Sequence, residues 1–469
     1  MSFQKKIFRE YDIRGIYGDD YTADFAGILA HAVADYFRDH MKPGKGRTSY
    51  RFAVGHDVRP SGEHLAPRFI DALVAEGFEV IDIGVVATPL VYFSTFHLDV
   101  DGAVSITGSH NPSEYNGFKI CFGNSTLHGT QIQELLRLCE SFKARPPAPA
   151  GRKGSVTKTD VADAYINDLK GRVKIERKIK VVVDAGNATA CVVAPKLLTA
   201  LGCEVIPLFC DIDGTFPNHH PDPTVVENLV DLQKAVAKHK ADLGIAYDGD
   251  SDRIGAVDEN GRPIFGDELM VLFAREILSR KPGSTIISEV KSSHRLYQDI
   301  AKHGGRPIMW KTGHSLIKAK MKEEKAELAG EMSGHMFFAD RYYGYDDAIY
   351  ASIRLLEILS RTKNTLSSLL ADLPLSVNTP EIRVDCADEI KFEVVRRVRD
   401  DLGKRFKTND VDGVRIETDV AWGLLRASNT QPVVVMRFEA NTEKQLAEIR
   451  KIVEDAFETA TKAVQAASR

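Results

Sequence analysis

The sequence predicts an α/β protein with three related α/β domains, each with a mixed, largely parallel sheet, plus a smaller C-terminal α+β domain. Three observations support this fold class. The chain has 469 residues, whereas a single domain usually has about 150. The same order of apolar, β-rich runs and helical patterns occurs three times, which is typical of βαβ units and parallel sheets. The residues after 375 follow a different order.

Each repeat contains three β-rich runs. They lie at 52–55, 77–83 and 102–106 in the first repeat, at 179–184, 202–208 and 242–247 in the second, and at 285–290, 304–310 and 326–329 in the third. Helical patterns precede the second run of the first two repeats, at 70–76 and 194–201. A glycine opens the second run of every repeat, which suits the end of a helix that turns back into a sheet.

Polar and Pro-rich stretches mark the domain boundaries. Residues 144–154 contain three prolines, which cannot continue a helix and lack the amide donors of a strand, so we predict a linker there. Weaker boundaries lie near 260–263 and 372–380. We therefore predict domains at 1–152, 153–262, 263–374 and 375–469.

The C-terminal domain is predicted to be α+β because its β-rich runs, at 414–418, 422–426 and 433–438, follow one another without helices between them. A final helix is predicted to begin at Thr442, where Thr442 and Gln445 form a capping box. One face of this helix is apolar, with Leu446, Ile449, Val453, Phe457 and Val464.

Composition and charge exclude several classes of protein. Sixty-two Lys and Arg against 66 Asp and Glu leave a net charge of −4, which argues against a general nucleic-acid binder. No apolar run approaches the ~20 residues of a membrane-spanning helix, and the N-terminal residues are too charged for a signal-peptide core. The six cysteines form no C-x-x-C pair, as expected for a reducing compartment. We therefore expect a cytoplasmic protein with no nucleic-acid and no membrane partner.

Small, polar loops follow the third strand of every repeat. They are the serine loop (residues 107–113), the acidic loop (residues 248–253) and residues 330–335. Ligands of parallel α/β sheets bind outside the carboxyl ends of the strands. We therefore expect the three loops to converge on one central cleft, with the domains arranged around it.

The acidic loop carries Asp248, Asp250 and Asp252. Carboxylates this close repel one another by about 1 kcal/mol per pair in water and by up to ~4 kcal/mol at an effective dielectric of 20. A divalent cation removes this repulsion, and carboxylate oxygens favour Mg²⁺ or Ca²⁺. Two alternatives are a solvated acidic turn and an EF-hand; the latter is disfavoured because Arg253 stands where an EF-hand needs Gly.

Ser109 is the candidate nucleophile of the serine loop. Its common role beside Gly and Asn-Pro would be a turn or a helix cap. A hydrolase triad is disfavoured because adjacent side chains point apart in regular structure and G-x-S-x-G is absent. A hydroxyl that accepts a phosphoryl group needs a divalent metal and nearby cations, which the acidic loop, Arg253 and Lys119 would supply. The segment Asn116-Gly117 before Lys119 could equally form only a hairpin turn.

A separate anion site is predicted in the C-terminal domain. Arg426 offers a fork of donors, and the next polar residues add hydroxyl, amide and backbone donors that suit a phosphate: Ser428, Asn429 and Thr430. The alternative is a polar hairpin loop with a surface arginine. The sequence contains neither a P-loop nor G-x-G-x-x-G, so a nucleotide phosphate is not indicated.

Taken together, these motifs resemble those of the α-D-phosphohexomutase superfamily, and within it the bacterial phosphomannomutase/phosphoglucomutase group. The matching segments occur in family order: an N-terminal motif at 8–15, the phosphoserine motif in the serine loop, the metal motif in the acidic loop, the sugar motif at 330–335 and the phosphate motif at 426–432. Residues 216–223 and 311–315 also fit. Ser251 stands where this group usually has Gly, and His56 where it usually has Arg.

The resemblance implies a mutase that reversibly converts hexose 1-phosphate to hexose 6-phosphate, with mannose, glucose or both as the hexose. Glucose or mannose 1,6-bisphosphate would be the intermediate and activator, and one Mg²⁺ per chain would be held by Ser109, Asp248, Asp250 and Asp252. The partners would be hexose phosphates and the chain a monomer, with a dimer as the alternative. The alternative functions are phosphoglucosamine mutase and a non-catalytic sugar-phosphate-binding relative.

The resemblance also implies roles for further residues. The catalytic group would be Ser109, which carries the phosphoryl group, with His110, Lys119, Arg14, Arg253 and His335. His335 is a candidate acid/base because the ordinary pKa of His suits neutral pH. The substrate-binding group would be Tyr11, Lys291, His314, Glu331, Ser333, Arg426, Ser428, Asn429 and Thr430. Within it, Glu331 and Ser333 would bind the sugar hydroxyls.

Overall fold

The computed structural model describes residues 3–142, 154–428 and 431–467. Nearly all of the predicted linker at 144–154, and Asn429 and Thr430, lie outside the described residues. The chain divides into two compact units. Unit 1 comprises Met1–Phe273 and Ser333–Leu369, and unit 2 comprises Ala274–Met332 and Leu370–Arg469. No helix in the described ranges is long and apolar enough to cross a membrane.

The first sheet lies in unit 1 and has the strand order β1-β5-β4-β2-β3-β7, with β6 beside β5. Its strands are β1 (Ile13–Ile16), β2 (Arg51–His56), β3 (Glu79–Val85), β4 (Gly102–Ile106), β5 (Tyr115–Phe122), β6 (Ser125–Thr126) and β7 (Ser155–Lys158). The helices of this stretch are α1 (Ala23–His40), α2 (Gly62–Ala75), α3 (Thr88–His97), α4 (Thr130–Glu140) and α5 (Ala162–Lys170). Strand β2 is parallel to β3 and β4, whereas β5 is antiparallel to β1 and β4, so the predicted mixed sheet is confirmed.

An aromatic core fixes one face of this sheet. Helices α1 and α2 bury Phe25, Phe37 and Phe69 against Phe52 of β2 and Phe118 of β5, and all five side chains are fully buried. Burying each ring stabilises the fold by roughly 1.5–3 kcal/mol. The loops at the carboxyl ends of β2 and β4 are therefore anchored to a rigid base.

The second sheet also lies in unit 1, with the order β12-β11-β10-β8-β9. Its elements are β8 (Lys180–Asp184), α6 (Ala194–Ala200), β9 (Glu204–Leu208), α7 (Val230–His239), β10 (Leu243–Tyr247), β11 (Ile254–Asp258) and β12 (Pro263–Ile264). Helix α8 (Gly266–Arg280) follows. Strand β8 is parallel to β9 and β10, and β10 forms an antiparallel hairpin with β11. The acidic loop is the connection of that hairpin.

The third repeat places three parallel strands in unit 2. They are β13 (Thr285–Glu289), β14 (Arg306–Trp310) and β15 (Leu328–Gly330), with α9 (His294–Lys302) and α10 (His314–Glu324) between them. The chain then returns to unit 1 with β16 (Met336–Phe338) and α11 (Ala348–Ser360). The three predicted β-rich runs of this repeat are confirmed to within two residues at their ends.

The remainder of unit 2 is an antiparallel sheet with two helices. Its elements are β17 (Val377–Asn378), β18 (Ile382–Asp385), α12 (Asp388–Leu402), β19 (Lys407–Asn409), β20 (Val414–Glu417), β21 (Ala421–Ala427), β22 (Val433–Ala440) and α13 (Glu443–Ala467). The order is β17-β22-β21-β20-β19, and β18 also pairs with β22. The capping box of α13 is confirmed, since the backbone amide of Gln445 donates to Thr442 Oγ1 over 3.3 Å. Helix α12 was not predicted.

Candidate active site

Ser109 lies in the serine loop between β4 and β5 and is 1% exposed. It caps no helix, because the loop joins two strands, and its φ of 51° lies in the left-handed region. Its hydroxyl donates to Asp248 Oδ2 over 3.0 Å and lies 3.2 Å from His110 Nδ1. The expectation that the side chains of residues 109 and 110 point apart is therefore wrong, because the left-handed turn brings the two together.

The three acidic side chains of the acidic loop are each 0% exposed. Their ligand oxygens lie within 4.8 Å of one another. Oδ1 of Asp248 accepts from the amides of Asp252 and Arg253 over 3.0 and 3.1 Å, which fixes the turn. The alternatives of a solvated turn and of an EF-hand are both wrong, because the loop is buried and joins two antiparallel strands.

The local conformation explains two residues of the acidic loop. Ser251 has a φ of 61°, a region that favours Gly, and its hydroxyl lies 2.9 Å from Thr189 Oγ1. Gly249 packs so closely on the serine loop that a Cβ there would lie 2.2 Å from the carbonyl oxygen of Ser109. Only Gly permits this approach, which brings the carboxylates next to the Ser109 hydroxyl.

The acidic residues fit a divalent cation. Asp250 Oδ1 is buried and has no hydrogen-bond partner among the described residues. Burial and repulsion from Asp252 and Asp250 hold the pKa of Asp248 well above its usual range. Burial also raises the pKa of Asp252, but the charges of Lys119 and His335 outweigh it and hold that pKa well below the usual range. Carboxylate oxygens with excess negative charge are the ligands that Mg²⁺ and Ca²⁺ prefer.

Lys119 on β5 is the cation closest to these carboxylates. Its Nζ lies 2.6 Å from Asp250 Oδ2 and 2.5 Å from Asp252 Oδ2. Burial lowers its pKa, but the two carboxylates outweigh burial and raise the pKa above the ordinary value. The hairpin-turn alternative for Asn116-Gly117 is wrong, because both residues lie within β5 and pair with β1.

Thr88, which sequence reasoning missed, also holds the acidic loop. This first residue of α3 donates its hydroxyl to Asp250 Oδ2 over 2.6 Å, and its amide donates to the Asp250 carbonyl over 2.9 Å. A threonine at the start of a helix usually indicates a cap, so its sequence context gave no sign of this contact.

Arg253 and His335 meet beside the acidic loop. An isolated antiparallel bridge pairs the two residues, and Arg253 Nε lies 3.4 Å from His335 Nε2. The same imidazole nitrogen lies 3.3 Å from Asp252 Oδ1, and His335 Nδ1 lies 3.2 Å from Ser333 Oγ. Both imidazole nitrogens are thus oriented, one by a carboxylate and one by a hydroxyl.

Arg14 lies on β1, next to the serine loop. Its guanidinium donates to Asn111 Oδ1 over 2.8 Å and pairs with Asp12. Tyr11 is half-buried just before β1. Burial and the charges of Arg253 and Arg14 hold the pKa of His110 well below its usual range, so its imidazole is neutral at pH 7.

Lys291 and Glu331, both predicted to bind substrate, lie in unit 2. Lys291 Nζ is 3.0 Å from Glu381 Oε2. Burial lowers the pKa of Lys291, but Glu289 and Glu381 outweigh it and raise that pKa. Burial raises the pKa of Glu381, but the charges of Lys291 and Arg383 bring it down to about 2.

Backbone amides hold the carboxylates of Glu331 and Glu289, in the same unit as Lys291. Oε1 of Glu331 accepts from the amide of Gly313 over 2.7 Å, and His314 follows as the first residue of α10, 8% exposed. Glu289, which the sequence reasoning missed, accepts from the Lys291 amide over 2.7 Å and from the Thr312 hydroxyl over 3.0 Å.

Arg426 lies on β21 and is 6% exposed, so the alternative of a surface arginine is wrong. Its Nε donates to Asp412 Oδ2 over 2.9 Å. Ser428 follows the strand, and its hydroxyl accepts from the amide of Gln431 over 3.1 Å. The other two predicted phosphate-binding residues, Asn429 and Thr430, lie outside the described residues.

Comparison with known proteins relates the chain to a family. Models of the phosphoglucomutase/phosphomannomutase family match consecutive parts of the chain: alpha/beta/alpha domain I at residues 5–143, domain II at 163–261, domain III at 265–376 and the C-terminal domain at 381–456. A phosphomannomutase/phosphoglucomutase of Pseudomonas putida is 47% identical over 448 residues, which are 95% of this chain and 94% of the relative. The chain belongs to the phosphoglucomutase/phosphomannomutase family.

Further members of this family are similar over almost the whole chain. A phosphoglucomutase of Neisseria meningitidis is 43% identical, with 95% of each chain covered. A crystal structure of a phosphoglucomutase/phosphomannomutase family protein from Burkholderia thailandensis has a TM-score of 0.90 at 42% identity and covers 98% of each chain. The four-domain α/β fold and the family expected from the sequence motifs are thereby confirmed. The predicted domain boundaries and site residues stay predictions.

Proposed function

We propose that the protein is a phosphohexomutase that reversibly converts hexose 1-phosphate to hexose 6-phosphate through a phosphorylated Ser109. The observation that carries this proposal is the environment of the Ser109 hydroxyl. It is buried and lies 3.0 Å from Asp248 Oδ2, and Asp248 clusters with Asp250 and Asp252, which in turn hold Lys119. This is the environment of a phosphoryl carrier, because transfer of a phosphoryl group requires charge compensation more than it requires a strong base.

The transfer conserves atoms and charge. The P–O bond to Ser109 breaks as a new bond forms to a free hydroxyl of the hexose phosphate; the hydroxyl proton passes to a base, and the released Ser109 oxygen takes up a proton to become a hydroxyl. Hexose 1,6-bisphosphate results. After the bisphosphate reverses its orientation, its other phosphoryl group returns to Ser109, and the isomeric monophosphate is released.

Asp248, Asp250 and Asp252, with an oxygen on Ser109, would hold one Mg²⁺. When bound, this ion would neutralise negative charge on the phosphoryl oxygens. Asp250 Oδ1, buried without a partner among the described residues, supports this assignment. The second carboxylate oxygens of Asp250 and Asp252 instead hold Lys119, which fixes its ammonium group beside the site.

The remaining charged groups of unit 1 would compensate and move charge. Lys119, Arg253 and Arg14 would donate to the phosphoryl oxygens, and the neutral His110 would orient the Ser109 hydroxyl. His335 would act as the acid/base, because Ser333 and Asp252 orient its two imidazole nitrogens.

A second group of residues would bind the parts of the substrate that do not react. Arg426 and Ser428, with Asn429 and Thr430, would bind the non-transferred phosphate, while Lys291 and His314 would add further contacts. Glu331 and Ser333 would bind sugar hydroxyls. Since the bisphosphate must bind in two orientations, only hydroxyls that exchange places, O3 and O4, can be recognised both times. Glucose and mannose differ at C2, so we infer that both are substrates.

The proposal is tested by intact mass and turnover. The purified protein, incubated with glucose 1,6-bisphosphate and Mg²⁺, should gain about 80 Da on Ser109 and should convert glucose 1-phosphate and mannose 1-phosphate to the 6-phosphates. Ser109→Ala should lose nearly all turnover and still bind substrate, whereas Ser94→Ala, which removes a buried hydroxyl bonded to the Val91 carbonyl, should stay active. Normal turnover of Ser109→Ala would refute the proposal. A discrimination above about a thousandfold in kcat/KM would refute dual specificity alone.

The non-catalytic alternative predicts binding of hexose phosphates without any gain of mass or turnover. A clear preference for glucosamine 1-phosphate would favour the phosphoglucosamine mutase alternative. A monomeric state and a cytoplasmic location are part of the proposal and stay predictions.

A further inference from the structure

Arg59 follows β2, and its side chain is 0% exposed although it is charged. Its guanidinium donates to backbone carbonyls in and beside the serine loop. Nη2 donates to Ser109 and Asn111, each over 2.6 Å, and Nη1 donates to Tyr115 over 3.0 Å and also to Pro112. One side chain thus binds four carbonyl groups within seven consecutive residues.

Asp57 binds the opposite side of the same loop. Its Oδ2 accepts from the Thr107 hydroxyl over 2.8 Å and from the Gly108 amide over 3.1 Å. It also accepts from Arg59 Nε over 2.9 Å, which fixes the guanidinium plane. The Thr107 hydroxyl in turn accepts from the Ser109 amide over 2.8 Å. Asp57 and Arg59 together therefore hold both the amide and the carbonyl of Ser109.

The packing shows that this pair and the loop are fitted to each other. A Cβ on Gly108 would lie 2.6 Å from the guanidinium carbon of Arg59, and the ring of Phe216 covers that guanidinium with its centroid at 5.1 Å. Ser109 also has a φ of 51°, a conformation that a non-glycine residue keeps only when its surroundings enforce it.

We propose that the Asp57–Arg59 pair is a positioning device for the phosphoryl-carrying serine, which fixes the left-handed turn and so the position of the Ser109 hydroxyl against Asp248. Arg59 and Asp57 bind Ser109 through its backbone, so they act through it. This inference rests on the proposed phosphoryl transfer. A displacement of the hydroxyl by about 1 Å costs roughly a hundredfold in rate, whereas substrate binding, which depends on other groups, is unchanged.

The test compares two buried arginines. Arg59→Lys keeps the charge but cannot bind four carbonyls at once. Arg354→Lys is the matched control. Arg354 lies on α11, is also 0% exposed and donates to the carbonyl and the carboxylate of Asp340, which precedes that helix. Both variants are assayed with glucose 1-phosphate, Mg²⁺ and glucose 1,6-bisphosphate at a temperature at which circular dichroism shows them folded.

We expect Arg59→Lys to lower kcat by about a hundredfold with KM within about threefold, and Arg354→Lys to lower Tm with little change in kcat. If Arg59→Lys does not fold, Thr107→Val replaces it. This isosteric change removes the hydroxyl that joins Asp57 to the Ser109 amide and should lower kcat by about tenfold. A kcat loss no larger than that of the control, or an equal rise in KM, would overturn the positioning role. An inactive wild type would instead refute the proposed function.

Discussion

The two units differ in how their buried carboxylates and cations are paired. In unit 1, Lys119 contacts two of three buried aspartates, Asp250 and Asp252, and burial and repulsion hold the pKa of the third, Asp248, well above its usual range. In unit 2, the two predicted binding cations each pair with a carboxylate: Lys291 with Glu381, which also pairs with Arg383, and Arg426 with Asp412. The pKa of Glu381 is accordingly lowered to about 2.

On the proposed function, this difference corresponds to separate tasks. The excess of negative charge in unit 1 stabilises an added cation, which fits a site that performs the phosphoryl transfer. A paired cation in unit 2 can exchange its carboxylate for the phosphate of a ligand, which fits a site that binds. We therefore expect substitutions in unit 1 to act on kcat and those in unit 2 to act on KM.

Asp252→Asn should have the largest effect. It removes one candidate metal ligand and one of the two carboxylates that hold Lys119, and the loss of several kcal/mol of charge compensation corresponds to about a thousandfold in kcat. A titration of activity with Mg²⁺ should also show weaker apparent binding, and EDTA should abolish turnover of the wild type.

Asp258→Asn is the matched control for this prediction. Asp258 is 1% exposed at the end of the same hairpin, and its carboxylate accepts from the amides of Asn260 and Arg262. Its substitution should lower stability by about 1.5–3 kcal/mol, the worth of hydrogen bonds to a charged group, and change kcat by less than about threefold, because this carboxylate contacts residues 260 and 262 and not the acidic loop. Equal losses in the two variants would mean that fold stability, rather than chemistry, explains the result.

Arg426→Ala should mainly raise KM. A guanidinium–phosphate contact contributes about 1.5–3 kcal/mol, so KM should rise roughly tenfold to a hundredfold while kcat stays within about threefold. Arg396→Ala removes an exposed arginine of α12 that pairs with Glu393 and Asp400, and steady-state kinetics should find it unchanged. A fall in kcat with unchanged KM would place Arg426 with the unit 1 residues and break the comparison.

The sequence predicted those features that recur at fixed positions along the chain. The β-rich runs and the loops after β4, β10 and β15 could be predicted from local patterns, because strand burial and turn formation depend on residues that are close in sequence. The acidic loop could be predicted as a metal site since its carboxylates lie two residues apart.

Contacts between distant segments could not be predicted in this way. Arg59 is 50 residues from Ser109 along the chain, and Thr88 is 162 residues from Asp250. Helix α12 was missed because its charged residues form ion pairs such as Arg396–Asp400 on its exposed face, which dilutes its apolar pattern. The partner of Lys291, Glu381, lies in a segment that carries no motif.

Glu381→Gln should destabilise the protein at neutral pH, since Lys291 loses the negative charge of this half-buried partner. The pKa of Glu381 is lowered to about 2 in the folded protein, so its contribution is fully present above the unfolded pKa of about 4.3 and is lost as pH falls toward 2. Because the pair is partly exposed, we expect the free energy of unfolding to fall by about 2 kcal/mol at pH 7. Chemical denaturation measures this difference.

The difference in the free energy of unfolding between the wild type and Glu381→Gln should be smaller at pH 3 than at pH 7. The control is Glu393→Gln, since Glu393 pairs with Arg396 and Arg397 on the surface of α12 and its ion pairs are screened by solvent. A gap that stays constant from pH 7 to pH 3 would show that the charge of Glu381 is not what stabilises unit 2.

Asp347→Asn in unit 1 should have the smallest net effect, and its pH dependence should have the opposite sign. Asp347 is 0% exposed and accepts from the hydroxyls of Tyr165 and Tyr342, the latter bonded in turn to Tyr345. Burial raises the pKa of Asp347 to about 7. Because the folded protein holds this proton more tightly than the unfolded chain, the wild type loses stability as pH rises from about 4 to 7.

An amide at position 347 cannot ionise, so it avoids this loss. One pKa unit corresponds to about 1.4 kcal/mol, and the amide gives up a tyrosine hydrogen bond, which costs about 1–3 kcal/mol. We therefore expect Asp347→Asn to be more stable than the wild type by about 1 kcal/mol at pH 8 and less stable at pH 4. If denaturation curves show the wild type to be the more stable protein at both pH values, unit 1 stabilises this carboxylate as well as unit 2 stabilises Glu381. The contrast between the units would then be confined to the acidic loop.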